Sequence, residues 1–181
     1  NGLLFTGSYE TGRRLHESFA GRPEKILALE MGGNNPLVVS GVSDPDGAVL
    51  LTILSAFITA GQRCTCARRL ILEQGREGDD FIQGLGAALR RMRTGSYRVR
   101  PQPFYGPVIS EEAAGRLMAL QEDLIRRGAR PITPMEPDPS ARALLRPGLI
   151  DVSEVRDRPD EEWFGPLLQV IRVPDFDGAL E

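Results

Sequence analysis

The chain of 181 residues is long enough for one ordinary domain with a sizeable core, and its hydrophobic fraction of 41% and charged fraction of 26% exclude disordered and collagen-like classes. Its 22 basic and 25 acidic residues give a net charge of −3 and are interspersed, so no basic stripe points to nucleic acid or an anionic membrane. The longest near-apolar stretch, Ala48 to Ala60, is too short to cross a bilayer, so no membrane partner is expected and a small molecule is the better prior.

In chain order, Phe5-Thr6-Gly7-Ser8 reads as a strand end followed by a turn. Thr11 to Ala20 then reads as a short helix with Leu15 and Phe19 on one face and Gly21 as its stop. Ile26 to Leu29 and Leu37 to Val39 are short apolar runs around Gly32-Gly33-Asn34-Asn35-Pro36, which predicts buried strands joined by a tight loop. Asp44-Pro45-Asp46 is a helix start with acidic residues near its positive end, and the stretch to Ala60 is almost wholly apolar, predicting a helix buried all round.

Arg68 to Leu72 predicts the next strand and Asp79 to Met92 an amphipathic helix with Phe81, Ile82, Leu85, Leu89 and Met92 facing inward. Ser110-Glu111-Glu112 signals a further helix start, with a run to Arg127 and Gly128 as stop. Ile132 and Leu149 to Val152 are weaker strands separated by a Pro-rich surface loop, Pro134 to Pro139, and Leu167 to Val173 is a clear strand. Strands alternating with helices predict an α/β fold with a mainly parallel sheet flanked by helices. The absence of an initiator Met before Asn1, and an ending at Asp177 to Glu181 that reads as a helix just starting, give the expectation of a piece of a longer polypeptide.

The chemistry-bearing residues are few. Cys64-Thr65-Cys66 is poorly spaced for an unstrained disulfide, and with His16 the only histidine a structural metal is not expected. Reduced thiols in a cytoplasmic location are the simpler reading. Cys64 follows Gly61-Gln62-Arg63 beyond the apolar helix, at a turn where main-chain N–H groups can stabilise a thiolate; a free cysteine is also commonly an inert small hydrophobe. Glu30 stands beside Gly32 and Gly33 after an apolar strand, an odd position for a buried charge without a functional or pairing reason, although capping or salt bridging would account for it. Cys66 reads as a packing residue and His16 as a solvated or capping one. Arg63 could draw a carboxylate-bearing substrate or point away.

Together, Phe5-Thr6-Gly7-Ser8 with Gly12, Leu29-Glu30-Met31-Gly32-Gly33-Asn34-Asn35-Pro36, Gly61-Gln62-Arg63-Cys64 and Glu162-Trp163-Phe164-Gly165-Pro166 resemble the NAD(P)-dependent aldehyde dehydrogenase superfamily in motif order and spacing. The resemblance runs from Phe5 to Val173. It implies the catalytic domain of that fold over residues 29–181, truncated at its C-terminus, with residues 1–28 as the end of a cofactor-binding domain. It further implies Cys64 as nucleophile, Glu30 as the base that activates water, and NAD as cofactor with NADP left open. Gly7 and Ser8 then approach the cofactor pyrophosphate, Glu162 hydrogen-bonds the nicotinamide ribose, and Phe164 packs near the nicotinamide.

Without the resemblance, Gly7 and Ser8 read as a helix cap, Glu161 and Glu162 as a solvated pair, and Trp163 with Phe164 as core. Met31 to Pro36 and Gly61 to Arg69 resemble the branch of the family that oxidises N-succinylglutamate 5-semialdehyde in bacterial arginine catabolism. The resemblance implies a homo-oligomeric full-length enzyme and little activity in this piece alone. A different semialdehyde, a coenzyme A-acylating dehydrogenase and a non-catalytic binding or assembly fragment stand as alternatives. A cysteine hydrolase would want a histidine base, and only His16 is at hand.

Overall fold

A computed structural model describes residues 1–180, which divide into two compact units, Asn1–Gly33 and Asn34 onward. In the first unit, β1 (Gly2–Gly7) and β2 (Ile26–Met31) pair in parallel, with Thr6 opposite Glu30 and Gly7 opposite Met31, and α1 (Tyr9–Phe19) forms the crossover. The helix begins two residues earlier than the apolar spacing predicts because Ser8 caps it: the Ser8 hydroxyl accepts from the Thr11 N–H at 3.4 Å. Gly12 is the buried residue of this helix, and a Cβ there would overlap the Met31 sulfur, so the helix lies close against β2. Leu4 and Ile26 are exposed.

The second unit is a five-stranded sheet in the order β3 (Pro36–Val39), β4 (Arg69–Glu73), β7 (Leu167–Val173), β6 (Gly148–Asp151), β5 (Arg130–Thr133). All neighbours pair in parallel except β5 with β6, in keeping with the predicted α/β architecture. The central strand β7 is buried along most of its length, as a parallel strand covered on both faces must be. Helices α2 (Pro45–Phe57), α3 (Arg76–Arg91) and α4 (Glu111–Arg126) supply Phe57, Leu85, Leu89 and Leu124 to one core with Leu70 and Leu168 of the sheet. The end of the chain forms a single turn, Asp177–Ala179, and Glu181 of the predicted terminal helix lies outside the described residues.

Four expectations are corrected. The strands over Ile26 to Leu29 and Leu37 to Val39 are not buried: Ile26 is exposed and no residue of β2 or β3 is fully buried. Helix α2 is not buried all round: Thr52, Ile53, Ala56 and Phe57 face the core while Leu50, Leu51 and Leu54 are exposed. Apolar composition on every face reports a need for cover and does not say which face this sheet covers. Helix α3 starts at Arg76, earlier than predicted, because Gly75 at φ 105° turns the chain sharply out of β4. The Pro134 to Pro139 loop is not wholly at the surface either. Met135 is fully buried, its N–H donating to Gln121 Oε1 at 2.7 Å and its carbonyl accepting from Gln121 Nε2 at 2.9 Å.

The same loop carries Asp138, whose carboxylate accepts from the Ser140 hydroxyl (2.6 Å) and N–H (3.0 Å) and from the Thr94 hydroxyl (3.3 Å). The Ser140 bonds, ahead of partial burial that opposes them, hold its pKa below the usual carboxylate range. A depressed folded-state pKa means stability that is present above the unfolded value of about 3.9 and lost as pH falls through the folded value. Asp138→Asn is therefore expected to lower the melting temperature by a few degrees at neutral pH. It should also flatten the loss of melting temperature below about pH 4, measured by melts from pH 7 downward. An unchanged acid limb would remove Asp138 from the acid sensitivity.

Candidate active site

The segment that carries Cys64 begins where α2 stops. Phe57 is fully buried and anchors the helix end, and the chain then reverses through Thr59, Ala60 and Gly61 at φ 55°, 56° and 70°. Two consecutive non-glycine residues in the left-handed region are uncommon and cost of order 1–3 kcal/mol each, which persists only where the surroundings enforce the shape. The enforcement is visible. Gly61 packs so closely on the Gly165 carbonyl that a Cβ would overlap it. The Gln62 side chain donates to Thr59 O at 3.1 Å and accepts from the Ile109 N–H at 2.8 Å.

Beyond this reversal a tight turn closes from the Cys66 N–H to the Arg63 carbonyl at 3.1 Å, with Cys64 exposed on it. Asn35 is the strut. Its Nδ2 donates to the carbonyls of Cys64 (2.7 Å) and Cys66 (3.0 Å), and its own carbonyl accepts from the N–H groups of Arg68 (2.9 Å) and Arg69 (3.2 Å). Cys64 is thus held through its backbone carbonyl while the residue itself is exposed. Cys66 is the reverse, a buried side chain with its sulfur 3.8 Å from the Ile58 carbonyl, as its reading as a packing residue expects. Arg63 is exposed and turns its Nε to the Thr59 hydroxyl at 2.7 Å, so its head group serves the turn locally.

Glu162 is not half of a solvated pair. Its carboxylate takes a 3.1 Å ion pair from Arg68, and its side chain is 21% exposed while that of Arg68 is 1% exposed. Arg68 also donates Nη1 to Gly61 O at 2.6 Å and Nη2 to Arg63 O at 2.9 Å, and its guanidinium lies 5.2 Å from the centre of the Phe164 ring. Trp163 is core as predicted, but Phe164 is 45% exposed and is not. The structure therefore gathers the Cys64 turn, Glu162 and Phe164 around one buried arginine. From the sequence alone Arg68 reads as the first residue of a strand, and Asn35 only as part of a loop. The available signal was a basic residue between Cys66-Ala67 and Leu70, where a buried strand entry should be apolar.

The remaining candidates lie in the first unit. Gly7 ends β1, Ser8 is the helix cap just described, and Glu30 sits in β2 with its side chain exposed, so the argument from burial of its charge does not hold. His16 is exposed, as expected for a solvated histidine. Among the described residues no group of three or more His, Cys, Asp or Glu is placed to hold a metal ion, and no helix is long and apolar enough to cross a membrane. A cavity of about 580 Å³ is lined by Asn34, Arg69, Arg156, Asp157, Arg158 and Asp160 among others, and Cys64 does not line it.

The model of the aldehyde dehydrogenase family matches residues 1–181. The chain belongs to that family. It is 55% identical over 180 residues to N-succinylglutamate 5-semialdehyde dehydrogenase of Ectopseudomonas mendocina (strain ymp), and 54% identical over 180 residues to the protein of that name from Serratia proteamaculans (strain 568). In both cases 99% of this chain is aligned to 37% of the relative, so the chain spans just over a third of the length of these family members.

Solved structures of the family superpose on it over nearly its whole length. An aldehyde dehydrogenase from Brucella melitensis biovar abortus 2308 gives a TM-score of 0.85 at 32% identity, with 99% of this chain covering 36% of that one. A succinate-semialdehyde dehydrogenase from Burkholderia pseudomallei gives 0.88 at 30% identity, with 99% of this chain covering 37%. The family fold predicted from the motifs is the fold observed.

Proposed function

We propose that the full-length protein is an NAD(P)-dependent dehydrogenase that oxidises an aldehyde to a carboxylic acid through a covalent intermediate on Cys64, with N-succinylglutamate 5-semialdehyde as substrate. The observation that carries this reading is the Cys64 turn, a backbone locked from three sides that leaves its thiol free. Cys66 packs, as an inert cysteine does, whereas the exposed Cys64, on a turn just beyond a strained reversal, suits attack on a substrate. The 55% identity to a dehydrogenase of that semialdehyde supports the substrate.

In this mechanism the Cys64 thiolate adds to the aldehyde carbonyl to give a thiohemiacetal, and loss of hydride from that carbon leaves a thioester. Bound NAD(P) supplies the acceptor for the hydride. Glu30 takes a proton from water as the water attacks the thioester, and the acid departs as Cys64 is restored. On this reading the Cys64 N–H is one donor to the developing oxyanion. Phe164 offers an exposed ring to the nicotinamide, and Glu162 is held at Oε1 by Arg68, which suits the carboxylate to accepting ribose hydroxyls at its other oxygen. Gly7 and the capped start of α1 suit a phosphate by the absence of a side chain and the positive end of the helix. On this reading residues 1–28 close the cofactor-binding domain, residues 29–181 belong to the catalytic domain, and the working enzyme is a homo-oligomer.

A panel of semialdehydes offered to the full-length enzyme with NAD or NADP tests the assignment. The expected result is coenzyme A-independent formation of the acid, with the highest kcat/KM on N-succinylglutamate 5-semialdehyde. Preference for another aldehyde by about tenfold or more would overturn the substrate and leave the chemistry standing. A requirement for coenzyme A would overturn the hydrolytic role of Glu30.

A further inference from the structure

We infer that Arg68 is a positioning residue that ties the nucleophile turn to the cofactor-facing pair Glu162 and Phe164, so that the two halves of the chemistry are set by one side chain. The inference rests on the assignment of Cys64 and Glu162 above. Four observations carry it. The guanidinium is almost fully buried, in a run where Cys66, Ala67 and Leu70 are buried and apolar. Its planar fork reaches two carbonyls of the reversal that precedes Cys64, those of Gly61 and Arg63, and a carboxylate 94 positions away in sequence. Its face lies against Phe164. Its Nε is buried without a partner.

The last point separates positioning from stabilisation. Burying a cation is costly, and an ion pair whose donors are not all satisfied is commonly matched or bettered in stability by well-packed apolar side chains. Arg68 is thus a poor choice for holding the fold together. It is a good choice for holding three groups in a fixed relation, because a rigid fork orders several acceptors at once and a lysine ammonium does not. The Glu162 carboxylate is then presented with Oε1 occupied by Arg68, and Phe164 lies over the guanidinium plane. In effect the geometry between the thiol and the nicotinamide ribose site is set through Arg68.

The test uses the full-length enzyme carrying Arg68→Lys or Arg68→Met, each with and without Glu162→Gln, assayed with NAD and N-succinylglutamate 5-semialdehyde and counted by titration of reactive Cys64. In both single variants KM for NAD is expected to rise about tenfold or more, as for loss of a charge-assisted hydrogen bond, while KM for the aldehyde changes by less than about threefold. Lysine should restore only part of the loss. Glu162→Gln should cost about tenfold with Arg68 present and less than about twofold in the Arg68→Met background, the non-additivity expected of coupled residues.

A KM for NAD within about twofold of wild type per titrated site, with additive effects of Glu162→Gln, would overturn the inference whatever the melting temperature does. Should Arg68→Met fail to fold, the rate of Cys64 alkylation in Glu162→Gln alone decides. A change of about threefold or more supports the link, and a smaller change contradicts it. Failure of the underlying assignment shows separately, as a wild-type enzyme with no NAD(P)-dependent turnover or as undiminished turnover in Cys64→Ala.

Discussion

Cys64→Ala in the full-length protein is expected to lower aldehyde oxidation by about 10⁴-fold or more, because under the proposed mechanism the variant removes the atom that bonds to substrate and leaves only groups that bind and polarise it. The same change should leave the fold nearly untouched. The turn is held through the Cys64 carbonyl, which accepts from Asn35, and through the Cys66 N–H, which donates to Arg63; the exposed thiol contributes to neither. Surface substitutions of this kind shift stability by about 0.5 kcal/mol or less. Steady-state turnover together with a chemical melt separates the two effects. Cys66→Ala supplies the contrast, since its sulfur is buried: it should cost stability and leave turnover within an order of magnitude.

Gly61→Ala is expected to be the most damaging single methyl in the chain. Gly61 lies at φ 70°, and a Cβ there would overlap the Gly165 carbonyl oxygen and come within 3.1 Å of the Ala56 carbonyl oxygen. Both obstacles are backbone, so neither can swing aside as a side chain would. The left-handed conformation alone costs an alanine about 1–2 kcal/mol, and overpacking adds about 1–3 kcal/mol, a large part of a typical total of about 5–15 kcal/mol. The relief available is to push the Gly61 turn away from Gly165, which moves Cys64 relative to Phe164 and Glu162. Denaturant melts should show a loss of at least about 3 kcal/mol, and folded enzyme should turn over slowly. Gly41→Ala is the control: at φ 59° with nothing within 4 Å it meets the conformational cost alone, about 1–2 kcal/mol.

The contrast between those glycines also shows what can be read without coordinates. The strands and helices followed from periodicity and punctuation, as in the Ser110 cap of α4 and the amphipathic face of α3. Cys64 and Glu162 stand out as candidates because their motifs carry a recognisable order and spacing. Arg68 was not, because its role depends on a carboxylate 94 positions away, and no local pattern encodes that meeting. Asn35 was hidden for the same reason, being a loop asparagine until the carbonyls of Cys64 and Cys66 come into its reach. The exposed leucines of α2 misled in the other direction. Hydrophobicity states that a surface wants burial, and which surface is buried is a property of the packing.

The most direct test of the central claim is mass spectrometry of the peptide containing Cys64 after the full-length Glu30→Gln enzyme is mixed with N-succinylglutamate 5-semialdehyde and NAD and quenched in acid. Under the proposed mechanism, in which Glu30 is the hydrolytic base, the expected result is a covalent acyl group on Cys64, of the mass of the N-succinylglutamyl residue, together with one equivalent of NADH per site. An unmodified Cys64 beside undiminished NADH production, or an acyl group on Cys66 instead, would contradict it.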